Sequence, residues 1–375
     1  MDDRRQLKIA GACTASNKSA VSENRRDENR PNVSIIIVNW NRPKDVFECL
    51  ESVRRLDYPN YHIVVVDNAS TDGSQQSIKK AFPEVVLINN EINLGYTGGN
   101  NVGIRYALQH NAEYVWLLND DTIVEPQTLA TLTETAEGSA EIGLVSPFVY
   151  FYDQPDKVQF SCWYFDLENR RVTEKLEARR NNNTILVGTA LLIKRAVIEK
   201  IGCLDDRFFA YYEDLEYSVR SFKAGYRNVL EPTAKIFHKA PAFEDMSAKR
   251  PPHYFYYMIR NEYLFWLSYL RGLQRISYVR RHAADAIVQA ASFKELGLSE
   301  SMNASLDGLW SAWLGVHGAW DRSVRMPTIL KRIILWHSHF WADLLIGGFG
   351  RILREVTRRA RRKLMSCLSH MPASK

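Results

Sequence analysis

Beyond residue 32 the chain alternates between two hydrophobic patterns. Short apolar runs rich in β-branched residues occur at Val33–Asn39, Ile63–Asp67, Val85–Asn89, Tyr114–Asn119 and Ile142–Val145. Such runs suit strands buried on both faces. Stretches with helical spacing lie between or after them, at Pro43–Leu56, Ser74–Ala81, Asn100–Gln109 and Pro126–Glu137. The alternation predicts βαβ units and an α/β fold, with a mainly parallel sheet flanked by helices. In such sheets ligands bind beyond the carboxyl ends of the strands. The polar clusters Asn39-Trp40-Asn41, Asp67-Asn68-Ala69-Ser70 and Asn119-Asp120-Asp121 fall there. From about Tyr150 the pattern loosens, and 150–184 reads as a long irregular connection. An apolar segment follows at Ile185–Ile193, then a helix within Phe208–Ala224 and two short strands, Tyr226–Glu231 and Ala234–Phe237. After Pro251-Pro252 the chain turns helical and aromatic-rich. The first thirty residues are polar without an apolar period and read as a disordered leader. The expected organisation is a leader over 1–31, an α/β domain over 32–250 and a helical region over 251–375.

Composition narrows this picture. The 375 residues are 46% hydrophobic and 25% charged, enough to bury a sizeable core. That excludes a wholly disordered, collagen-like or small disulfide-stapled chain. Five scattered cysteines with no C-x-x-C pair support neither a zinc knuckle nor a disulfide framework, and suit a reducing cytoplasm. The net charge of +6 is matched by 351–363 alone, where seven Arg/Lys face one Glu. Such local basicity does not describe a nucleic-acid surface. From Phe349 on, Ile352, Leu353, Val356, Ala360 and Leu364 keep helical spacing while arginines fill the other face. That is the form of a helix lying on an anionic membrane, so membrane-surface contact is expected through 333–365. No stretch reaches eighteen apolar residues without a charge or histidine, so a transmembrane span is not predicted.

Four constellations carry candidate chemistry. Asp67 follows a strand and precedes the turn Asn68–Ser74; Asp72 or Ser74 suits a helix cap, whereas Asp67 lies too far back and suits a ligand donor such as the N3–H of a pyrimidine. The stretch Asn93-Leu94-Gly95-Tyr96-Thr97-Gly98-Gly99-Asn100-Asn101 is glycine-rich but is neither a dinucleotide fingerprint nor a P-loop; close backbone approach to a ligand and a capped left-handed turn both explain it. Adjacent carboxylates in Asn119-Asp120-Asp121 repel one another, which Mg²⁺ or Mn²⁺ would relieve while gripping substrate phosphates; an Asp-rich turn is the plain alternative. Glu213 and Asp214 stand near a helix start among aromatic residues, where partial desolvation would make one of them a usable general base. His238 ends a short strand and suits either packing or ligation.

In this order the motifs VSIIIVNWNR, VVVDNASTDGS, NLGYTGGNNVGI, VWLLNDDT, VGTALLIKR, FFAYYEDLEYSVR and HYFYYMIRN resemble the family-2 glycosyltransferases of the GT-A fold. The similarity is greatest to the bacterial rhamnosyl- and galactofuranosyltransferase branch, and it spans about Val33 to Arg260. The resemblance implies an inverting, metal-dependent transfer of a sugar from a UDP- or dTDP-sugar to a hydroxyl of a glycan or lipid-linked acceptor. It implies donor-nucleotide contacts from Asn39, Asn41, Asp67, Asn93, Gly95, Asn100, Asn119 and Asp120. It implies a Mg²⁺ or Mn²⁺ ion on Asp121, with His238 and Asn119 as further ligands, although Asn119 replaces the family's first Asp. Asp214 matches the catalytic base, with Glu213 beside it, and Trp163 and Tyr212 fall on the acceptor side. Transfer of one or a few sugars is expected rather than processive polymerisation, in a cytoplasmic enzyme held peripherally at the inner membrane face during cell-envelope polysaccharide synthesis. The aromatic-rich C-terminal region also leaves room for a homo-oligomer interface. Two rivals are weaker: a sugar nucleotidyltransferase lacks its basic Gly-rich loop after the first strand, and an inactive nucleotide- or carbohydrate-binding module would not need Asp121 and Asp214.

Overall fold

The computed structural model describes residues 30–166, 171–175, 184–239 and 250–336, together with 338, 341 and 345. Residues 1–29 of the leader and most of 333–365 therefore lie outside the described residues. By internal contact the chain divides into two compact units, Met1–Phe209 with Glu213–Ala242, and Ala210–Tyr212 with Phe243–Lys375.

The first unit opens with the expected alternation: β1 (Val33–Asn39), α1 (Pro43–Val53), β2 (Tyr61–Asp67), α2 (Ser74–Ala81), β3 (Val86–Asn89), α3 (Gly95–Gln109) and β4 (Tyr114–Asn119). It continues through β5 (Thr122–Val124), α4 (Thr128–Glu137), β6 (Ile142–Phe151), β7 (Val158–Phe160), β8 (Cys162–Asp166), β9 (Arg171–Lys175), β10 (Thr184–Leu186) and β11 (Ala190–Lys194). α5 (Arg195–Ile201), α6 (Glu213–Lys223) and β12 (Arg227–His238) complete it. The main sheet runs β3-β2-β1-β4-β11-β6-β12-β5, with β7 joined to β6. β1 pairs in parallel with β2 and β4, and β11 runs antiparallel between β4 and β6. β1 shows why its sequence is apolar throughout. Ile35 and Ile37 pack into one core cluster and Ile36 into a second, so successive side chains enter cores on opposite faces.

Several expected elements differ. Helix α3 starts at Gly95, five residues before its predicted start, so most of the glycine-rich stretch is helical. Two of its glycines are contact points with the sheet: a Cβ on Gly99 would meet Val38 Cγ1 at 2.8 Å, and one on Gly103 would meet Ile36 Cγ2 at 2.5 Å. The supposed irregular connection contains the end of β6, then β7, β8 and β9; β8 and β9 join β10 in a three-stranded antiparallel sheet ordered β10-β8-β9. Ile185–Ile193 is broken into β10 and β11 by the turn at Gly188-Thr189. The two short strands expected after 225 are one strand, β12, whose register slips between Glu231 and Lys235. Pro232 lies in that slip, since it has no N–H to give the ladder.

The second unit contains α7 (Pro252–Tyr269), α8 (Gly272–Glu295), α9 (Ser299–Leu314) and α10 (Thr328–Trp336). Its core joins Ile259, Ile287, Leu306, Leu309, Met326 and Ile334. Gly308 lets α9 approach α7, because a Cβ there would stand 2.6 Å from the Tyr256 carbonyl oxygen. Tyr256 stacks on Trp320 with centroids 4.7 Å apart, and buried Asp307 pairs with Lys331 at 2.7 Å. The Asn261 amide is wholly buried; Nδ2 donates to the carbonyls of Ala210 and Tyr211, each at 2.8 Å. Arg260 Nε fixes that orientation by donating to Asn261 Oδ1 at 2.9 Å. Among the described residues no helix is long and apolar enough to cross a membrane.

Candidate active site

The strand register brings the first polar clusters level. Asn39 lies opposite Asp67 across β1 and β2, and Val38 opposite Asn119 across β1 and β4. Asn39 Nδ2 donates to Asp67 Oδ2 at 2.7 Å and also reaches the hydroxyls of Ser70 and Ser74. Asp67 is fully buried, and its Oδ1 accepts from the Ser70 N–H and from Gln75 Nε2, both at 2.8 Å. Left-handed backbone at Asn41 and Ala69 (φ 53° and 62°) turns the two loops together. The Asn41 N–H donates to Ser70 Oγ at 2.9 Å, and its side-chain oxygen accepts from the Thr71 N–H at 2.8 Å. Asp72 Oδ1 accepts from the Ser74 N–H at 3.0 Å, at the start of α2.

Asn93 and Asn100 are tied to the start of α3. Asn93 Oδ1 accepts from the Gly95 N–H at 2.8 Å, and Asn100 Nδ2 turns back to the Tyr96 carbonyl at 2.9 Å. Gly95 is required there: its φ is +74° and a Cβ would fall 2.5 Å from the Phe209 carbonyl oxygen.

Buried Asp120 and Asp121 occupy the turn between β4 and β5. The Arg42 guanidinium reaches both, at 2.7 Å from Asp121 Oδ2 and 3.3 Å from Asp120 Oδ1. His238 lies opposite Thr122 across β12 and β5, and its Nε2 stands 3.1 Å from Asp121 Oδ1. Gln159 Oε1 contacts the other ring nitrogen at 2.8 Å. Burial and the neighbouring Asp121 charge push the Asp120 carboxyl up to about 7, partly offset by Arg42. Burial also raises Asp121, but His238 and Arg42 overcome that and hold it well below the usual carboxylate range. Asn119 Oδ1 is buried without a hydrogen-bond partner. No three His, Cys, Asp or Glu side chains among the described residues stand ready-made as a metal ligand set. The donors fit a hard cation that draws its other ligands from phosphate or water, since such ions often use only one or two protein carboxylates.

The turn at Gly188-Thr189 ties these groups to α6. The Asn119 N–H donates to the Thr189 carbonyl at 3.0 Å. Asp214 Oδ2 accepts from the Gly188 N–H at 3.0 Å, and Oδ1 from the Leu215 N–H at 2.7 Å. Tyr96 Oη donates to the Gly188 carbonyl at 2.6 Å. Burial, followed by repulsion from Asp214, pushes Glu213 up to about 8. Burial raises Asp214 as well, against the two N–H groups that favour its charge. The Tyr96 phenol is driven far above its ordinary value by burial and by the charges of Glu213, Asp214 and Asp121 together. One hydroxyl thus lies within electrostatic reach of all three carboxylates. Half-buried Trp163 is centred 6.1 Å from Phe160, which in turn lies 6.3 Å from the His238 ring. Tyr212 belongs to the helical unit, where its ring is 6.0 Å from Phe265.

The sequence profile described as glycosyl transferase family 2 matches residues 34–202. The chain carries a family 2 glycosyltransferase domain. It is 25% identical over 279 residues to the low-salt glycan biosynthesis hexosyltransferase Agl10 of Haloferax volcanii, covering 71% of this chain and 84% of that one. It is 26% identical to the N-acetylglucosaminyl-diphospho-decaprenol L-rhamnosyltransferase of Mycobacterium tuberculosis, over 47% of this chain and 66% of the relative. The galactofuranosyltransferase GlfT1 of Mycolicibacterium smegmatis is 24% identical, over 52% and 66% of the two chains. The two mycobacterial relatives are thus matched over about two thirds of their length. These relatives fall in the branch that the motifs resemble. The fold is GT-A: residues 1–349 of S. aureus TarS, solved with UDP, superpose with a TM-score of 0.51 at 16% identity, over 86% of this chain and 91% of that one.

The glycosyltransferase domain uses contacts that no motif announced. Arg42, Tyr96, Gly188 and Gln159 reach their partners only through folding: Arg42 stands 78 residues from Asp120, Gln159 79 from His238, Tyr96 92 from Gly188 and Gly188 26 from Asp214. Of these, Gly188 alone carried a hint, as a glycine inside the apolar segment Ile185–Ile193.

Proposed function

We propose that this glycosyltransferase moves a sugar, with inversion, from a UDP- or dTDP-sugar to a hydroxyl of a glycan or lipid-linked acceptor. The observation that carries the reading is the Gly188-Thr189 turn, which holds Asp214 and Tyr96 through Gly188 and the end of β4, ahead of Asp120 and Asp121, through Thr189, beside the strand ends that carry Asn39 and Asp67. The named substrates of the relatives, rhamnose and galactofuranose among them, support a sugar nucleotide donor and an envelope-type acceptor. The loops carrying Asn39, Asn41 and Asp67 would receive the nucleoside, with Asn93, Gly95, Asn100, Asn119 and Asp120 completing that side. Asp121, with His238 and Asn119, would hold Mg²⁺ or Mn²⁺. A bound divalent cation supplies positive charge to the departing diphosphate.

Asp214 is the proton acceptor in this reading. The N–H groups of Gly188 and Leu215 orient its carboxylate, and burial raises its proton affinity above that of an ordinary aspartate, which favours removal of an acceptor proton. Direct attack by the acceptor oxygen on the anomeric carbon breaks the bond to the diphosphate and inverts the centre, so no enzyme nucleophile is required. Glu213, held largely protonated beside it, keeps negative charge from accumulating. Trp163, in the unit that holds Asp121 and Asp214, is assigned to the acceptor side.

Thermal-shift screening of UDP- and dTDP-sugars with Mn²⁺ identifies the donor, because a ligand bound only by the native state raises apparent stability. With that donor, Asp214→Asn is expected to lower turnover by at least about a thousandfold while the donor-induced shift persists. Near-normal turnover in Asp214→Asn would remove the base assignment. Absence of both transfer and donor hydrolysis in the wild type would favour an inactive binding module.

A further inference from the structure

Gly188 sits between a carboxylate and a phenol. A Cβ there would stand 3.3 Å from Asp214 Cβ and 3.3 Å from Tyr96 Oη, so both side chains close on the same glycine. Its N–H donates to Asp214 Oδ2 at 3.0 Å, and its carbonyl accepts from Tyr96 Oη at 2.6 Å. Glycine has no side chain to restrict its own torsions. The direction of the N–H that faces Asp214 is therefore kept by hydrogen bonds around the turn. On the β4 side the Asn119 N–H holds the Thr189 carbonyl. On the α3 side the Tyr96 hydroxyl holds the carbonyl of Gly188 itself.

The phenol is well anchored for that task. Asn93 Oδ1 and left-handed Gly95 fix the start of α3. The Thr97 N–H ties the same turn to the Phe209 carbonyl at 3.1 Å, on the chain that leads to α6. The Tyr96 ring packs against the core cluster that contains Ile36, Leu117 and Leu186. Packing is the work of the ring, and a phenylalanine would do it equally; the hydroxyl adds only the bond to Gly188. Burial and the nearby carboxylates oppose loss of its proton, so it remains a donor, which is what a carbonyl requires.

We infer that Tyr96 is a positioning residue for the proton acceptor, its hydroxyl holding the Gly188 backbone so that the N–H stays on Asp214. The inference rests on Asp214 being the base of the proposed reaction. It also puts the aim of the base under the turn that carries Asn93 and Gly95, assigned above to the donor, so that donor and base share one rigid element.

Tyr96→Phe tests it, since the ring stays and only the hydroxyl goes. With Mn²⁺ and the UDP- or dTDP-sugar selected by thermal shift, kcat is expected to fall about ten- to hundredfold while the donor KM stays within about twofold. The Gly188 N–H favours the charged form of Asp214, so its loss should move the acid limb of the kcat profile to higher pH. In an Asp214→Asn background the same change should cost less than about twofold, because no base is left to aim. A crystal structure of Tyr96→Phe, which needs no substrate, should show Asp214 Oδ2 more than about 3.5 Å from the Gly188 nitrogen in an unchanged fold. A variant with wild-type kcat and acid limb, beside an inactive Asp214→Asn, would overturn the inference and leave the base assignment standing. So would a variant whose Asp214 still accepts from the Gly188 N–H, or a loss that adds in full to that of Asp214→Asn. Near-normal turnover in Asp214→Asn would remove the base assignment and the inference together.

Discussion

Glu213 and Asn261 show how single residues carry opposite kinds of cost. Buried Glu213 has one carboxylate oxygen with no hydrogen-bond partner, and Asp214 stands beside it in the chain. Burial and that neighbour move its pKa from an ordinary 4.5 up to about 8, so the folded protein keeps a proton that the unfolded chain releases. Native protein then binds more protons than unfolded protein between those values, and metal-free stability must fall as pH rises through the window. Denaturant midpoints measured across it should decline for wild type and decline less steeply in Glu213→Gln, where Asp120 still contributes. Asn261 is the reverse case, a buried amide with every hydrogen used. Asn261→Ala strands two carbonyls and should destabilise by about 1–3 kcal/mol by chemical denaturation, and Asn261→Asp by more, because an acceptor would then face two acceptors. Arg42 gives a third test. Its guanidinium neutralises Asp121 and Asp120, so Arg42→Ala should tighten Mn²⁺ binding by nucleotide-free protein severalfold, read from the free-ion signal in electron paramagnetic resonance. Unchanged affinity would mean that a cation on those acids does not compete with Arg42.

At the scale of elements, α3 settles a conflict between propensity and packing. Glycine interrupts its sheet-facing side at 99 and 103, where isolated helix preference would choose alanine by up to about 1 kcal/mol each. The sheet lies too close for that choice. Ile36, fully buried in β1, would stand 2.5 Å from a Cβ on Gly103. Gly103→Ala should therefore destabilise by about 1–3 kcal/mol despite the better helix former, and a gain in denaturation midpoint would refute the packing argument. The same stretch was ambiguous in sequence between a ligand loop and a turn, since a glycine that admits a ligand and one that admits a neighbouring strand look alike. By contrast β1, β4 and α2 were readable to the residue. Each is a local pattern with a clear end, at Asn39, Asn119 and Ala81.

For the molecule as a whole, the division into two compact units, each with its own buried core, argues against a single cooperative transition. Calorimetry should resolve more than one unfolding step. UDP with Mn²⁺ should raise the step belonging to the unit that holds Asp67, Asp121 and Asp214, and Asn261→Ala should lower the other. A single transition shifted equally by both would show that the cores unfold as one.

The sequence alone determined the α/β alternation, the strand ends that carry polar clusters, and the acidic residues themselves, because each is encoded by neighbours a few positions apart. It also identified the family, through seven ordered motifs. Tertiary structure decided the rest: that β11 and β12 enter the sheet out of chain order, that Arg42 and His238 share Asp121, and that Asp214 hangs on the Gly188 N–H. Those relations join residues tens to hundreds of positions apart, and no local period records which distant partner a side chain will meet once the core has packed.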